Sequence, residues 1–280
     1  MSGAPSGPSL PQALLKVCGA TGVRDVEVAA AAGADCVGLW HGVPGGPREL
    51  GRQAFLDLAA VARRAGLLPA WVTFLADPAV LVRTAQQADV GWVQLHAYQP
   101  PSVVGELRRV LPRSVGIVKV LHVGAGGRCV ERPLIGAYER AGADLFLLDA
   151  ATEDGRIGST GQSLDPVDVV ALLPRLSRPF LLAGGLTPTA RARYEEVVGH
   201  RGFRGIDVDT AARAAQGGGF DAARIAALVG AWKTGGGRGS STVFEGTAAL
   251  GSTRVSGRTP ASDDAVVLGG SPPSVVRPGC

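Results

Sequence analysis

The amino-acid sequence predicts a single (β/α)₈ barrel, the TIM-barrel fold of the α/β class, over residues 13–233. Short apolar runs alternate with longer stretches of helical period, as in βα units around a parallel sheet. Eight such units can be traced, and an α/β barrel needs about 200–250 residues. An open doubly wound sheet would show the same alternation, but the chain has no GxGxxG turn, which favours the closed barrel.

The eight predicted strands are short runs rich in Val, Leu and Ile. They cover residues 14–18, 36–40, 69–74, 92–95, 116–121, 144–149, 179–184 and 205–209. A helix candidate follows each strand, and the one after the third strand has Asp77 as its N-cap and Pro78 at its first position. Ala-Gly-Ala-Asp occurs at 32–35 and at 141–144, where the glycine is predicted to end a helix in the left-handed conformation.

The two ends of the chain differ in composition from the predicted barrel. Residues 1–12 carry no charged side chain, and residues 234–280 are rich in Gly, Ser, Thr and Pro, with Phe244 as their single aromatic residue. Neither segment can bury enough apolar surface to offset the entropy of ordering it. Both segments are therefore predicted to be disordered.

Charge and cysteine content indicate which kinds of ligand, partner and metal the protein can be expected to bind. The formal charge of +4 is spread along the chain without a basic block interleaved with aromatic residues, so we expect an anionic small molecule rather than nucleic acid. The chain shows neither a basic secretory n-region nor an apolar run of roughly 20 residues, which predicts a cytoplasmic protein without membrane contact. The four cysteines lack zinc-binding spacing, so no metal is expected.

Active sites of such barrels lie at the carboxyl ends of the strands, so the residues that end the first strand are candidates for the site. Cys18 lies there, and Lys16 shares its face of the strand. An ammonium group a few ångströms away would favour the thiolate and make Cys18 a usable base or nucleophile. Cys36 begins a strand and Cys129 lies in a Gly-rich loop, so both are expected to be inert.

Ionisable and polar side chains end three further strands. Asp149 follows two leucines, Gln94 and His96 share one face, and Asp207 and Asp209 share another. The candidates for binding the substrate are Lys16, Gln94, His96, Asp207 and Asp209. For His96, a structural role with its hydrogen bonds satisfied remains as open as a catalytic one.

Two glycine-rich turns lie where barrels usually hold phosphate. Gly158-Ser159-Thr160-Gly161 precedes the seventh strand, and Ala183-Gly184-Gly185-Leu186 follows it ahead of a Thr-Pro helix start. Such turns expose backbone N–H groups to an anion. They predict a phosphate site on Gly161, Gly184 and Gly185, with Thr210 after the eighth strand.

The motifs at these strand ends resemble those of the phosphoribosylanthranilate isomerase family, in order over roughly residues 14–233. Lys16-Val17-Cys18-Gly19 is similar to its K-[IV]-C-G and Pro47-Arg48 to its S-P-R loop. The other matching segments are Val93-Gln94-Leu95-His96, Leu147-Leu148-Asp149, Ala183-Gly184-Gly185-Leu186 and Ile206-Asp207-Val208.

The resemblance implies an Amadori rearrangement, in which an N-aryl aminoaldose becomes a 1-amino-1-deoxyketose. It implies that Cys18 removes the proton from C2, that Asp149 protonates the furanose oxygen, and that Arg48 pairs with the carboxylate of the anthranilate. A base and an acid suffice for this isomerisation, so no cofactor is expected. A thiol of lowered pKa and a protonated carboxyl group would form the pair. A monomer and a homodimer both remain open.

The chain departs from the family in its phosphate motifs. Ser159 replaces a glycine, and Asp209 replaces a small hydroxyl residue, although Asp209 could pair with Arg213. Two like charges within about 4 Å cost on the order of 1–4 kcal/mol near a protein surface. Three hypotheses follow: an isomerase that tolerates Asp209, a divergent paralogue in specialised metabolism whose substrate lacks phosphate or carries another aryl group, and a non-catalytic barrel that binds a ligand.

Overall fold

The computed structural model describes residues 13–151, 163–214 and 218–233. Its strands are β1 (Leu14–Cys18), β2 (Cys36–Trp40), β3 (Leu68–Thr73), β4 (Trp92–Leu95), β5 (Gly116–Gly124), β6 (Arg128–Cys129), β7 (Leu145–Ala150), β8 (Phe180–Leu182) and β9 (Phe203–Val208). All of them except β6 pair in parallel, in the order β1-β2-β3-β4-β5-β7-β8-β9, and β9 pairs again with β1. The described residues therefore form the closed eight-stranded barrel that the sequence predicts.

Helices on the outside of the barrel connect its strands. They are α1 (Val23–Ala31), α2 (Arg52–Arg64), α3 (Pro78–Gln87), α4 (Pro101–Val110), α5 (Ile135–Ala141), α6 (Pro166–Val170), α7 (Glu195–Gly199) and α8 (Ala222–Trp232). Asp77 caps α3 by accepting hydrogen bonds from the N–H groups of Ala79 and Val80. Gly33 and Gly142 have φ angles of 88° and 105°, which confirms both predicted left-handed turns.

Alternation along the strands separates an inner from an outer apolar layer. The side chains that fill the interior of the barrel beside β5, β7 and β8 are those of Val118, Val120, Leu145, Leu147, Leu181 and Ala183. The residues between them along the strands face the helices and join the larger core, as Phe146 and Leu148 do. Full burial of each such side chain contributes about 1.5–3 kcal/mol to stability.

Five strands differ from their predicted bounds: β3 and β7 are each shifted by one residue, and β5, β8 and β9 differ more. β5 continues to Gly124 because it turns back and pairs with the antiparallel strand β6, so Cys129 lies in a short hairpin strand and not in the loop predicted for it. β8 ends at Leu182, since Gly184 adopts a φ of 86° that no extended strand can hold. β9 begins two residues early, at Phe203.

The barrel closes where its first and last strands meet. Leu14 of β1 lies opposite Gly205 of β9. Gly205 has a φ of 141°, and a Cβ atom built on it would lie 2.0 Å from the carbonyl oxygen of Leu14. The closure therefore requires glycine at this position.

Some predictions concern residues outside the described ranges. These are the disorder predicted for residues 1–12 and 234–280, and the turn from Gly158 to Gly161. In the part of the chain that the structure covers, no helix has the length and apolar character needed to cross a membrane.

Candidate active site

A cavity of about 600 Å³ opens at the carboxyl ends of the strands and gathers most of the predicted site residues. The predicted residues that line it are Cys18, His96, Asp149, Gly184, Gly185, Asp207, Asp209 and Thr210. Lys16, Arg48 and Gln94 each contact a lining residue through their side chains. Gly161 lies outside the described residues. The fold thus brings together residues as far apart in the sequence as Cys18 and Thr210.

The thiol of Cys18 is buried at the base of this cavity. Its Sγ atom lies 3.2 Å from Lys16 Nζ and 3.3 Å from Nε1 of Trp40, and both nitrogens donate to it. Burial and, after it, the Asp207 carboxylate raise the pKa of Cys18 to about 12, because Lys16 only partly opposes them. The predicted proximity of ammonium and thiol is confirmed, but the predicted lowering of the thiol pKa is wrong because desolvation outweighs the nearby charge.

Lys16 is shared between the thiol and a carboxylate. Its Nζ atom lies 2.6 Å from Oδ2 of Asp207, and both side chains are buried. Burial alone would lower the pKa of Lys16, but the Asp207 carboxylate reverses this and raises it. Burial raises the pKa of Asp207 to about 6 against the opposing charge of Lys16. At neutral pH the pair is therefore ionised, and Lys16 reaches the thiol as a cation.

Asp149, at the end of β7, lies beside an imidazole. Nε2 of His96 is 3.4 Å from Asp149 Oδ2, and the backbone N–H of Ala150 donates to Oδ1 at 2.9 Å. Nδ1 of His96 lies 2.9 Å from the amide nitrogen of Gln94. An amide nitrogen can only donate, so the ring carries its proton on Nε2, towards Asp149. Burial lowers the pKa of His96, which keeps the ring neutral.

Asp209 lies between two arginines. Nε of Arg213 approaches its Oδ1 to 2.5 Å, and Nε of Arg48 lies 3.3 Å from both of its oxygens. Arg213 also donates to the carbonyl oxygens of Cys18 and Gly19. The carboxylate is therefore compensated by two cations, and the pairing with Arg213 considered from the sequence is present.

The turn after β8 lies two strands from Cys18 around the barrel, with β9 between β8 and β1. Gly184 and Gly185 both have positive φ angles, of 86° and 59°. The turn leads into a 3₁₀ helix, Pro188–Tyr194, whose N-cap Thr187 accepts a hydrogen bond from the N–H of Ala190. The predicted Thr-Pro helix start is thus confirmed.

Sequence reasoning missed three residues of the cavity and its surroundings. Trp40 donates to the thiol, and period-two alternation from Cys36 along β2 could have indicated its inward direction. Arg224 of α8 lines the cavity, whereas the apolar period of that helix indicates only packing against the barrel. Glu131 is buried beside His122, and no sequence pattern indicated that contact.

The chain is similar to known proteins across the whole barrel. The sequence profile of the family N-(5'-phosphoribosyl)anthranilate isomerase matches residues 15–231. The enzyme of that name from Rubrobacter xylanophilus is 36% identical over 186 residues, which cover 66% of this chain and 84% of the relative.

Solved structures agree with this result. The structure of phosphoribosyl anthranilate isomerase from Thermus thermophilus has a TM-score of 0.61 at 25% identity and covers 78% of this chain and 96% of its own. The corresponding structure from Thermotoga maritima has a TM-score of 0.62 and covers 78% and 97%, and at 24% identity it supports the fold alone.

Proposed function

Because the chain belongs to the N-(5'-phosphoribosyl)anthranilate isomerase family, we propose that its barrel catalyses the Amadori rearrangement of phosphoribosylanthranilate. The reaction converts an N-aryl aminoaldose into a 1-amino-1-deoxyketose. It needs one group that donates a proton to the ring oxygen and one that removes a proton from C2. The observation that carries the proposal is the placement of Cys18 and Asp149 on the wall of one cavity.

Asp149 is the proposed acid. Its proton passes to the furanose oxygen, the bond between that oxygen and C1 breaks, and the nitrogen lone pair forms the C1=N bond of an iminium ion. His96, which directs Nε2–H towards Oδ2, orients the carboxyl group.

Cys18 is the proposed base. Its sulfur takes the proton from C2, and the electrons of the C–H bond form a C1–C2 double bond as the iminium nitrogen recovers its lone pair. A thiolate is needed for this step, and Lys16 at 3.2 Å is the nearby cation that favours it. The enolamine then becomes the ketone by moving the hydroxyl proton of C2 to C1. One turnover leaves Cys18 protonated and Asp149 ionised, so both must exchange protons before the next.

The anionic groups of the substrate need cations and backbone N–H groups. Arg48 contacts Asp209 through Nε, so its terminal Nη groups are proposed to bind the anthranilate carboxylate. The turn at Gly184 and Gly185 is proposed to receive the phosphate together with Thr210, and Asp207 to accept a hydrogen bond from a sugar hydroxyl.

The test is an assay with synthetic phosphoribosylanthranilate, in which chromatography follows the loss of substrate and the appearance of the aminoketose. Turnover supports the proposal. Binding without turnover would favour a non-catalytic barrel that only binds a ligand.

One observation favours a second candidate, a divergent isomerase whose substrate lacks the phosphate. Asp209 lines the cavity beside Thr210 and already engages Arg48 and Arg213. A phosphate there would meet a like charge, at a cost on the order of 1–4 kcal/mol. The same assay with the dephosphorylated substrate separates the two candidates, because the divergent isomerase would turn it over at least as fast as the phosphorylated compound.

A further inference from the structure

A buried charged cluster lies behind the cavity wall and is not used in the proposed reaction. At its centre is Glu131, which is 1% exposed and precedes α5. Its Oε1 accepts a hydrogen bond from Nδ1 of His122 at 2.6 Å and lies 3.7 Å from Nζ of Lys119. Burial works to raise the pKa of Glu131, but His122 and Lys119 outweigh it and leave the pKa below its ordinary value. Glu131 is therefore ionised and holds both partners.

Both partners of Glu131 reach the segment that contains His96. The ring of His122 lies edge-on to the ring of His96, with centroids 5.7 Å apart. The ring of Tyr98 also contacts the ring of His122, with centroids 4.9 Å apart. Lys119 donates to the carbonyl oxygen of Ala97 at 2.7 Å. His122 therefore contacts the rings of His96 and Tyr98, and Lys119 holds the backbone of Ala97 between them.

The position of His122 places this support next to the proposed acid. His122 lies directly opposite Asp149 in the pairing of β5 with β7. It continues the inward-facing series of Val118 and Val120, so its ring points to the same interior as the carboxyl group of Asp149. The contact of His96 with Asp149 is 3.4 Å, which is long enough for a small rotation of the imidazole to break it.

We propose that Glu131 is a positioning residue for the proposed acid, acting through His122 and Lys119 to hold the His96 ring against Asp149. The inference rests on the proposed function, because it takes Asp149 to be the acid of the isomerisation. Its physical basis is that a misplacement of about 1 Å near the reacting groups can reduce a rate by two orders of magnitude.

Kinetics of two variants test the inference. His122→Asn keeps an N–H group for Glu131 but removes the ring that supports His96, and we expect kcat to fall roughly tenfold with KM within about twofold of wild type. Glu131→Gln keeps an acceptor for His122 but loses the charge that holds Lys119, and we expect a several-fold loss in kcat, smaller than that of His122→Asn. The matched control is Cys129→Ala, which removes a 3.7 Å contact to the other oxygen of Glu131 and leaves kcat unchanged.

Nitrogen-15 NMR of the imidazole rings gives a readout that does not depend on activity. Wild-type His96 is expected to be a single Nε2–H tautomer because Gln94 donates to its Nδ1, and in folded His122→Asn its Nε2 signal is expected to shift as the contact with Asp149 is lost. Unchanged His96 signals, an unchanged kcat in both variants, or a rise in KM alone would each overturn the inference. If wild type does not turn over phosphoribosylanthranilate, the proposed function fails, while the same NMR comparison, made also on Glu131→Gln, still decides whether Glu131 positions His96.

Discussion

Two sides of the cavity differ in how their charges are balanced. On the acid–base side, formed by Cys18, His96 and Asp149, the thiol and the imidazole are neutral groups whose protonation is set by burial. On the anion side, formed by Arg48, Asp209, Arg213 and the turn at Gly184 and Gly185, charged groups already neutralise one another. Burial therefore controls protonation on one side, whereas on the other the Asp209 carboxylate already engages two arginines.

The largest effect is expected on the acid–base side. Cys18→Ala and Asp149→Asn should each reduce kcat/KM for phosphoribosylanthranilate by roughly 10²–10⁴-fold, because each removes one proton-transfer group. Steady-state kinetics measures this. The matched control is Cys36→Ala, which deletes another buried thiol beside Lys16 and should leave kcat/KM within a few-fold of wild type. Full activity in either of the first two variants would remove the proposed mechanism.

The protonation of the thiol gives the next effect. Because the pKa of Cys18 is about 12, its thiolate fraction near neutral pH is smaller than that of an ordinary cysteine. Iodoacetamide should therefore alkylate Cys18 on the order of ten to a hundredfold more slowly than an ordinary cysteine at pH 8. The rate, followed by mass spectrometry, should keep rising with pH beyond 10. Lys16→Met should slow it further, whereas Lys233→Met, which changes a lysine paired with Asp35, should not. A plateau near pH 7–8 would contradict the raised pKa.

A smaller effect is expected on the anion side. Asp209→Ser removes a carboxylate beside the proposed phosphate site and releases Arg213 to bind phosphate, so KM for phosphoribosylanthranilate should fall by about tenfold, equivalent to about 1.4 kcal/mol. Asp209→Asn separates the loss of charge from the gain of a hydroxyl group. The KM of the dephosphorylated substrate should stay constant. If the KM of both substrates changed equally, Asp209 would not discriminate for phosphate.

The smallest effect lies away from both sides. Asp77→Ala removes the N-cap of α3, which should lower the free energy of unfolding by about 1 kcal/mol and Tm by about 2–4 °C, without changing kcat/KM. Thermal unfolding by circular dichroism measures this. Asp57→Ala, in the exposed part of α2, is the comparison that should leave Tm within about 1 °C. A loss of activity in Asp77→Ala would mean that changes in stability alone can imitate effects at the cavity.

The sequence was informative where a local pattern determines the structure. The eight barrel strands lie within three residues of the bounds that apolar runs predicted, because a parallel strand buried on both faces is mostly apolar. Cys18, His96 and Asp149 could be placed at one end of the barrel because parallel strands bring their carboxyl ends together.

Features that depend on packing between distant residues were not predictable. The pKa of Cys18 depends on how completely the surrounding strands exclude water, which the distance to Lys16 does not indicate. The β6 hairpin extends β5 and brings Glu131 to His122, and its two residues are too short for a recognisable period. The requirement for glycine at position 205 comes from the carbonyl group of Leu14, almost 200 positions earlier in the sequence.

Closure at Leu14 and Gly205 also affects when the protein becomes active during synthesis. Lys16 on the first strand meets Asp207 on the last, so the ion pair beside the thiol forms only after nearly the whole barrel has been translated. A nascent chain that ends before β9 has its thiol but lacks the carboxylate that holds Lys16. Catalytic competence on the ribosome is therefore expected to arise in one late step, when the two ends of the barrel pair.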